Sequence, residues 1–231
     1  MTASTLNTSA QAEVAKDQST QESQTSLDWL QAGHTAVITG GANGIGRAAA
    51  EIFLANGMQV VIADNNAEAL AAAAEDLHAY QDRLEVMTCD VSNYAQVCRL
   101  RDRAFERFAS VDCLMNNAGA AVTRALPWDD LDGWKKQLDI NLWGILHGCH
   151  AFVPALIAQE RAATIINTGS KQGITNPPGG FAYNLSKAGV LNYTQSLAHA
   201  LRDQADANVT AHLLVPGFTY SNMIQRFIPT Q

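Results

Sequence analysis

The sequence predicts an α/β protein: a doubly wound parallel sheet with helices on both faces, three layers in all. Three observations predict it. Six short apolar runs alternate with helical stretches between residues 34 and 215. The runs are apolar almost throughout rather than at every second position, the pattern of strands buried on both faces. Glycines crowd the junction between the first run and the first helix, where a doubly wound sheet turns most tightly.

The elements follow in order. Residues 34–39 form a β-type run that leads into the glycines. Residues 45–56 are helical and are closed by Gly57, a residue suited to the left-handed cap of a helix end. Residues 58–63 are a second strand, and the alanine-rich residues 66–80 a second helix. Residues 84–88 are the third strand, 94–108 the third helix and 111–115 the fourth strand. One long helical region covers residues 131–159. Residues 164–168, 183–204 and 209–215 complete the set as strand, helix and strand. Right-handed crossovers between parallel strands place these helices on both faces of the sheet.

The 231 residues are 47% hydrophobic and 16% charged, so most of the chain suits a packed core. The first 28 residues are different. Ten are Ser or Thr, four are Gln, and large apolar side chains are almost absent. Such a segment gains too little from burial to offset the entropy of ordering, and it is expected to be a flexible tail. The domain then spans residues 29–231. The net charge of -7 argues against a nucleic-acid partner and against an anionic membrane surface. No run of eighteen apolar residues suggests a membrane span, and the amino terminus lacks the pattern of a secretory signal. The scattered Cys89, Cys98, Cys113 and Cys149 suit reduced thiols in a cytoplasmic protein.

The first strand ends in Thr39-Gly40-Gly41-Ala42-Asn43-Gly44-Ile45-Gly46, with a helix directly after it. Glycines let the backbone approach a pyrophosphate closely, and the helix N-terminus faces its negative charge. From composition, Thr with Gly at three set later positions is expected only about 0.005 times by chance. The second strand ends at Asp64, 18 residues after Gly46. A carboxylate there accepts hydrogen bonds from the adenosine ribose and repels a 2'-phosphate, which favours NAD over NADP. Asn43 offers no cation to such a phosphate. Arg47 could reach one but is read as pointing to solvent.

Tyr183 and Lys187 are four residues apart on a predicted helix and so share a face. An ammonium beside a phenol stabilises phenolate and brings it toward the range useful for general acid–base catalysis. Ser170 follows the fifth strand, at the end of the sheet where ligands bind, and Thr168 is a rival hydroxyl. His147 and His150 stand at i and i+3 with Cys149 between them, but no third ligand at suitable spacing follows, so no metal is assigned. Arg99, Arg103 and Arg107 alternate with acids and read as an ion-paired surface.

With these residues in view the chain resembles the compact single-domain type of the short-chain dehydrogenase/reductase (SDR) family, which has a Rossmann fold. The resemblance rests on the glycine loop, Asp90-Val91, Asn116-Asn117-Ala118-Gly119, Asn141, Ser170, Tyr183-x-x-x-Lys187 and Pro216-Gly217. It implies that Tyr183 donates or accepts the proton, that Lys187 lowers its pKa and binds the nicotinamide ribose, and that Ser170 orients the substrate oxygen. Asn141 would hold a water linked to Lys187. Gly40, Asn43, Gly44, Ile45, Gly46 and Asp64 would bind the cofactor's adenosine and pyrophosphate, with Asp90 and Val91 beside the adenine. Asn117, Ala118 and Gly119 would line the adenosine side. Pro216, Gly217 and Thr219 would lie by the carboxamide. Ser221 stands where the family often has Thr. Without the resemblance, Asn141 reads sooner as a helix residue bonded to a neighbouring carbonyl than as a catalytic one, and Asn116 and Asn117 could be turn formers.

The implied activity is hydride transfer between NAD and a secondary alcohol or ketone. The substrate side is expected from residues 120–126, 171–181 and 218 onward; their largely uncharged composition favours a neutral, fairly apolar compound, against which Lys171 counts slightly. The resemblance also implies a homodimer or homotetramer through the two long helices. Few residues follow Pro216, so the usual last strand is expected to be missing. The alternative function is therefore a nucleotide-binding module or a truncated form with little or no turnover.

Overall fold

A computed structural model describes residues 30–204 and 207–219. The expected tail, Ser221 and the chain after Thr219 lie outside the described residues. Six strands are present among those described: β1 (Thr35–Thr39), β2 (Gln59–Asp64), β3 (Leu84–Thr88), β4 (Cys113–Asn116), β5 (Ala163–Thr168) and β6 (Val209–Leu214). All pair in parallel, in the order β3-β2-β1-β4-β5-β6. The order reverses between β1 and β4, which opens a crevice at their carboxyl ends.

Both faces of the sheet are buried, which explains the unbroken apolar runs. Along β1, Ala36 and Ile38 face one core and Val37 faces the other. The first core is closed by α1 (Gly44–Ala55) and α2 (Ala67–Asp76) through Phe53, Leu54 and Leu70. The second is closed by α3 (Tyr94–Phe108), α5 (Gly144–Ala158) and α7 (Phe181–Asp203) through Leu100, Phe152 and Val190. The remaining helices are short: α4 (Leu131–Leu138) and α6 (Gln172–Thr175).

Three local features depart from the sequence reading. The helix expected over residues 66–80 is capped by the Asn66 side chain, which accepts from Ala69 N, and it ends at Asp76; residues 78–83 continue as a 3-10 turn. Residues 131–159 are not one regular helix. A π-helical turn, Asp139–Trp143, separates α4 from α5. α6 went unforeseen because Gly173, Asn176 and the prolines beyond it read as loop formers. Arg47 is also not free: it pairs with Glu51 at 2.9 Å and Asp76 at 3.4 Å.

The continuous stretch Leu131–Ala158 is long and apolar enough to cross a membrane by length and composition. However, 44% of its most apolar window is buried in the chain's own core, as a central helix of this fold requires. The four cysteines are free thiols. Burial pushes Cys89 and Cys149 up to about 11.

Candidate active site

The glycine loop is shaped by close backbone approach. Gly40 has φ +64°, and a Cβ there would lie 2.8 Å from the Ala118 Cα. A Cβ at Gly46 would fall on the Gly40 carbonyl and the Asn117 amide. Side chains have been excluded where backbone must pass, so the loop presents its amides at the start of α1. That is a cradle suited to a pyrophosphate. Gly41 belongs to the same device, since a Cβ there would meet Ile62 at 2.8 Å. The sequence reading did not single it out; four glycines in one loop were the available signal.

Asn117 holds the cradle to the sheet. Its Nδ2 donates to Thr39 O at 3.1 Å and Gly40 O at 3.2 Å, and its Oδ1 accepts from Thr168 Oγ1 at 3.3 Å. The Thr39 hydroxyl accepts from the amides of Asn117 and Ala118 at 3.0 and 3.1 Å. Thr168 is thereby engaged away from the catalytic end of the loop. Asn116 is instead buried between β4 and β5, where its Nδ2 donates to Asn167 Oδ1 at 2.9 Å.

Asp64 stands at the carboxyl end of β2, beside the glycine loop. Its carboxylate accepts from Ala42 N at 3.3 Å and Asn66 N at 3.1 Å, linking the glycine loop to the turn after β2. The Asp90 carboxylate accepts from Ser92 N and Ser92 Oγ, at 2.9 and 2.7 Å, and so shapes its own turn. Val91 packs against Gly144, and its carbonyl bonds His147 Nδ1 at 2.8 Å. Asn43 and Ile45 flank the loop at the start of α1.

The four residues expected to be catalytic come from two elements, α7 and the π-helical turn, and one loop. Lys187, on α7, is buried, and its ammonium donates to Thr168 O at 2.7 Å. Burial pushes its pKa down to about 8. Tyr183 lies one turn earlier, with the ammonium 5.8 Å from its ring centroid. Burial raises the Tyr183 pKa, and a hydrogen bond with the Ser170 hydroxyl pulls it back. Asn141 is buried in the π-helical turn. Its Oδ1 accepts from Ala120 N at 2.8 Å and its Nδ2 donates to Ala120 O at 2.9 Å. Gly119 sits between Asn141 and Lys187: a Cβ there would lie 3.5 Å from Asn141 Oδ1 and 3.7 Å from Lys187 Nζ.

The loop after β6 closes the carboxyl side. Lys171 N donates to Pro216 O at 3.2 Å, tying the Ser170 loop to Pro216 and Gly217. Thr219 Oγ1 reaches the Gly217 carbonyl at 3.5 Å. A cavity of about 680 Å³ opens in front of Ser170 and Tyr183, walled by Ala121, Pro177, Pro178 and Phe218. The arrangement suits proton transfer at a substrate oxygen held between a hydroxyl and a phenol, beside a nucleotide cradle.

Known proteins resemble this chain over most of its length. The sequence matches the short chain dehydrogenase family over residues 34–231. It is 37% identical over 194 residues to 3beta-hydroxysteroid dehydrogenase 2 of Eggerthella lenta, covering 83% of this chain and 73% of that one. It is 31% identical over 201 residues to a 2-dehydro-3-deoxy-L-rhamnonate dehydrogenase (NAD(+)) of Sphingomonas, covering 87% and 78%. A short chain dehydrogenase/reductase from Burkholderia phymatum, solved in complex with NAD, superposes with TM-score 0.81 at 37% identity. That match covers 85% of this chain and 69% of the other. The chain belongs to the short-chain dehydrogenase/reductase family of oxidoreductases.

Proposed function

We propose that the chain is an NAD-dependent dehydrogenase that interconverts a secondary alcohol and a ketone. The observation that carries this reading is the meeting of Tyr183 and Ser170 at the mouth of one cavity, with the buried Lys187 behind them. Gly40, Gly44 and Gly46 would hold the pyrophosphate, Asp64 the adenosine ribose, and Asp90 and Val91 the adenine. Asn117 to Gly119, Pro216, Gly217 and Thr219 would line the rest of the cofactor's path. Bound there, NAD takes up or supplies the hydride.

The chain's own residues do the remainder. Ser170 orients the substrate oxygen. Tyr183 takes the hydroxyl proton during oxidation and returns it to the carbonyl oxygen during reduction. Lys187 stabilises the phenolate, and Asn141 fixes the backbone beside it. NAD is favoured over NADP because Asp64 stands at the end of β2 and because Arg47 is occupied by Glu51 and Asp76. The name of the Sphingomonas relative also specifies NAD(+).

Two further readings accompany this one. The free thiols suit the reducing cytoplasm. Exposed Trp143 and Tyr94, with Leu185 on α7, suit contact with a second copy.

The test is a panel of secondary alcohols assayed with both cofactors. Reduced cofactor should form with kcat/KM for NAD about tenfold or more above that for NADP, the scale of a like-charge clash. Preference for NADP would contradict the role given to Asp64, and no turnover with either would contradict the enzymatic reading.

A further inference from the structure

A surface helix ordinarily docks through apolar side chains on its inner face. α4 does not. Among its described residues the one that is buried is Gln137, at 0% exposure. Burying an amide costs free energy unless its donor and acceptor are matched. Here both are matched, and both partners are backbone. Gln137 Nε2 donates to Ala120 O, and its Oε1 accepts from Val122 N at 2.7 Å.

Those backbone groups belong to the loop after β4, where residues 117–126 form neither helix nor strand. Backbone there has no ladder to pair with, so side chains take that place. Asn141, four residues after Gln137, bonds Ala120 N and Ala120 O at 2.8 and 2.9 Å. Asp130, the N-cap of α4, accepts from Thr123 Oγ1 at 2.7 Å. The helix therefore grips one stretch of loop near both of its ends. Ala121 and Thr123, within that stretch, wall the cavity in front of Ser170 and Tyr183. Gln137 itself does not line the cavity. Without it Val122 N–H loses its partner, and the wall is held only at Ala120 and at the exposed Thr123–Asp130 bond. A misplacement of about 1 Å far from the chemistry can cost on the order of 10²-fold in rate.

We propose that α4 positions the substrate wall, with Gln137 as the principal anchor and Asp130 as the second. Gln137 is a positioning residue: it fixes Ala121 and Thr123 relative to Ser170 and Tyr183, and so sets the orientation in which a substrate meets the proton-transfer pair. This rests on the oxidoreductase reading.

The experiment uses the full chain and the two enantiomers of the best chiral secondary alcohol of the panel. The ratio of their kcat/KM values does not depend on how much of a preparation is folded, so a purely structural role leaves it unmoved. Gln137→Met keeps the side-chain length and removes both bonds. In that variant the ratio should fall about tenfold, within the scale of pocket discrimination, while the Kd for NAD stays within about twofold of wild type. Hydrogen exchange by mass spectrometry compares the cofactor-free proteins in parallel. Residues 118–126 should exchange about tenfold faster in the variant, the scale of two lost hydrogen bonds, and residues 40–46 as in wild type. A ratio near unity in the wild type, a ratio unchanged in the variant, or unchanged exchange of residues 118–126 each overturns the proposal. If Gln137→Met gives no cooperative melt, Asp130→Gly replaces it. Asp130 has φ 53°, which glycine adopts freely, and its loss releases Thr123 at the other end of the helix. The same two measurements then decide, with the same outcomes. Failure of the wild type to turn over any alcohol overturns the oxidoreductase reading. Exchange then decides the anchoring by itself: faster exchange of residues 118–126 in the variant supports it, and equal exchange overturns it.

Discussion

Burial alone moves Tyr183 and Lys187 in opposite directions from the values catalysis needs. It raises the phenol and lowers the ammonium to about 8, because each loses the water that stabilises its charged form. Ser170 counters the rise at Tyr183 through its hydrogen bond, so the serine acts on the phenol before any substrate arrives. The depressed Lys187 pKa has a consequence for stability. Its folded value lies below the unfolded value of 10.5, so the unfolded chain binds the proton more tightly between those limits. Stability contributed by this residue therefore rises as pH climbs from about 8 to 10.5. Buried cysteines and tyrosines pull the other way in part of that range, so the effect is read as a difference. The unfolding free energy of the cofactor-free wild type should gain on that of Lys187→Met across this window, by on the order of 1–3 kcal/mol. A constant difference in denaturant titrations at pH 7, 8, 9 and 10 would show that Lys187 is charged as readily folded as unfolded.

At the scale of elements, the π-helical turn at Asp139–Trp143 is the feature that turns a core helix into part of a site. π-helical turns recur at functional sites. Here the turn accompanies a reciprocal pair of hydrogen bonds between the Asn141 side chain and the Ala120 backbone. That pair holds the loop after β4, which carries Gly119, near Lys187. Replacing Asn141 with Ala leaves the part-buried Ala120 N–H without its partner, while the Ala120 carbonyl keeps the Gln137 Nε2 donor, and should destabilise the protein by about 1–3 kcal/mol. Circular dichroism during thermal melting measures this, and an unchanged midpoint would show that the pair contributes nothing. The turn was not legible in the sequence, because residues 131–159 carry the apolar content of one regular helix. Asn141 could be named only from its resemblance to a family motif. By contrast, the strands were legible because burial on both faces leaves no room for polar alternation, as β1 shows at Ala36, Val37 and Ile38. The glycine loop was legible because its glycines are forced, Gly40 by its positive φ and Gly46 by the Gly40 carbonyl.

For the whole molecule, the sheet order places the glycine loop and Ser170 on opposite sides of the β1/β4 switch, with β4 and Gly119 between them. A cofactor spanning that crevice would reach from Asp64 to Tyr183. The same architecture leaves Tyr94, Trp143 and Leu185 half exposed on the helices of one face. These account for the expected assembly: light scattering should give a mass of two or four chains at micromolar concentration, and a monomeric mass would contradict it. The central claim is that Tyr183 carries the proton for hydride transfer to or from NAD. Its most direct measurement is kcat/KM for wild type and Tyr183→Phe on the best substrate of the panel, with NAD binding followed separately by fluorescence. The expected result is a loss of about 10²–10⁴-fold, the range for a general acid–base group, with NAD still bound by the variant. Equal turnover by the two proteins would contradict it.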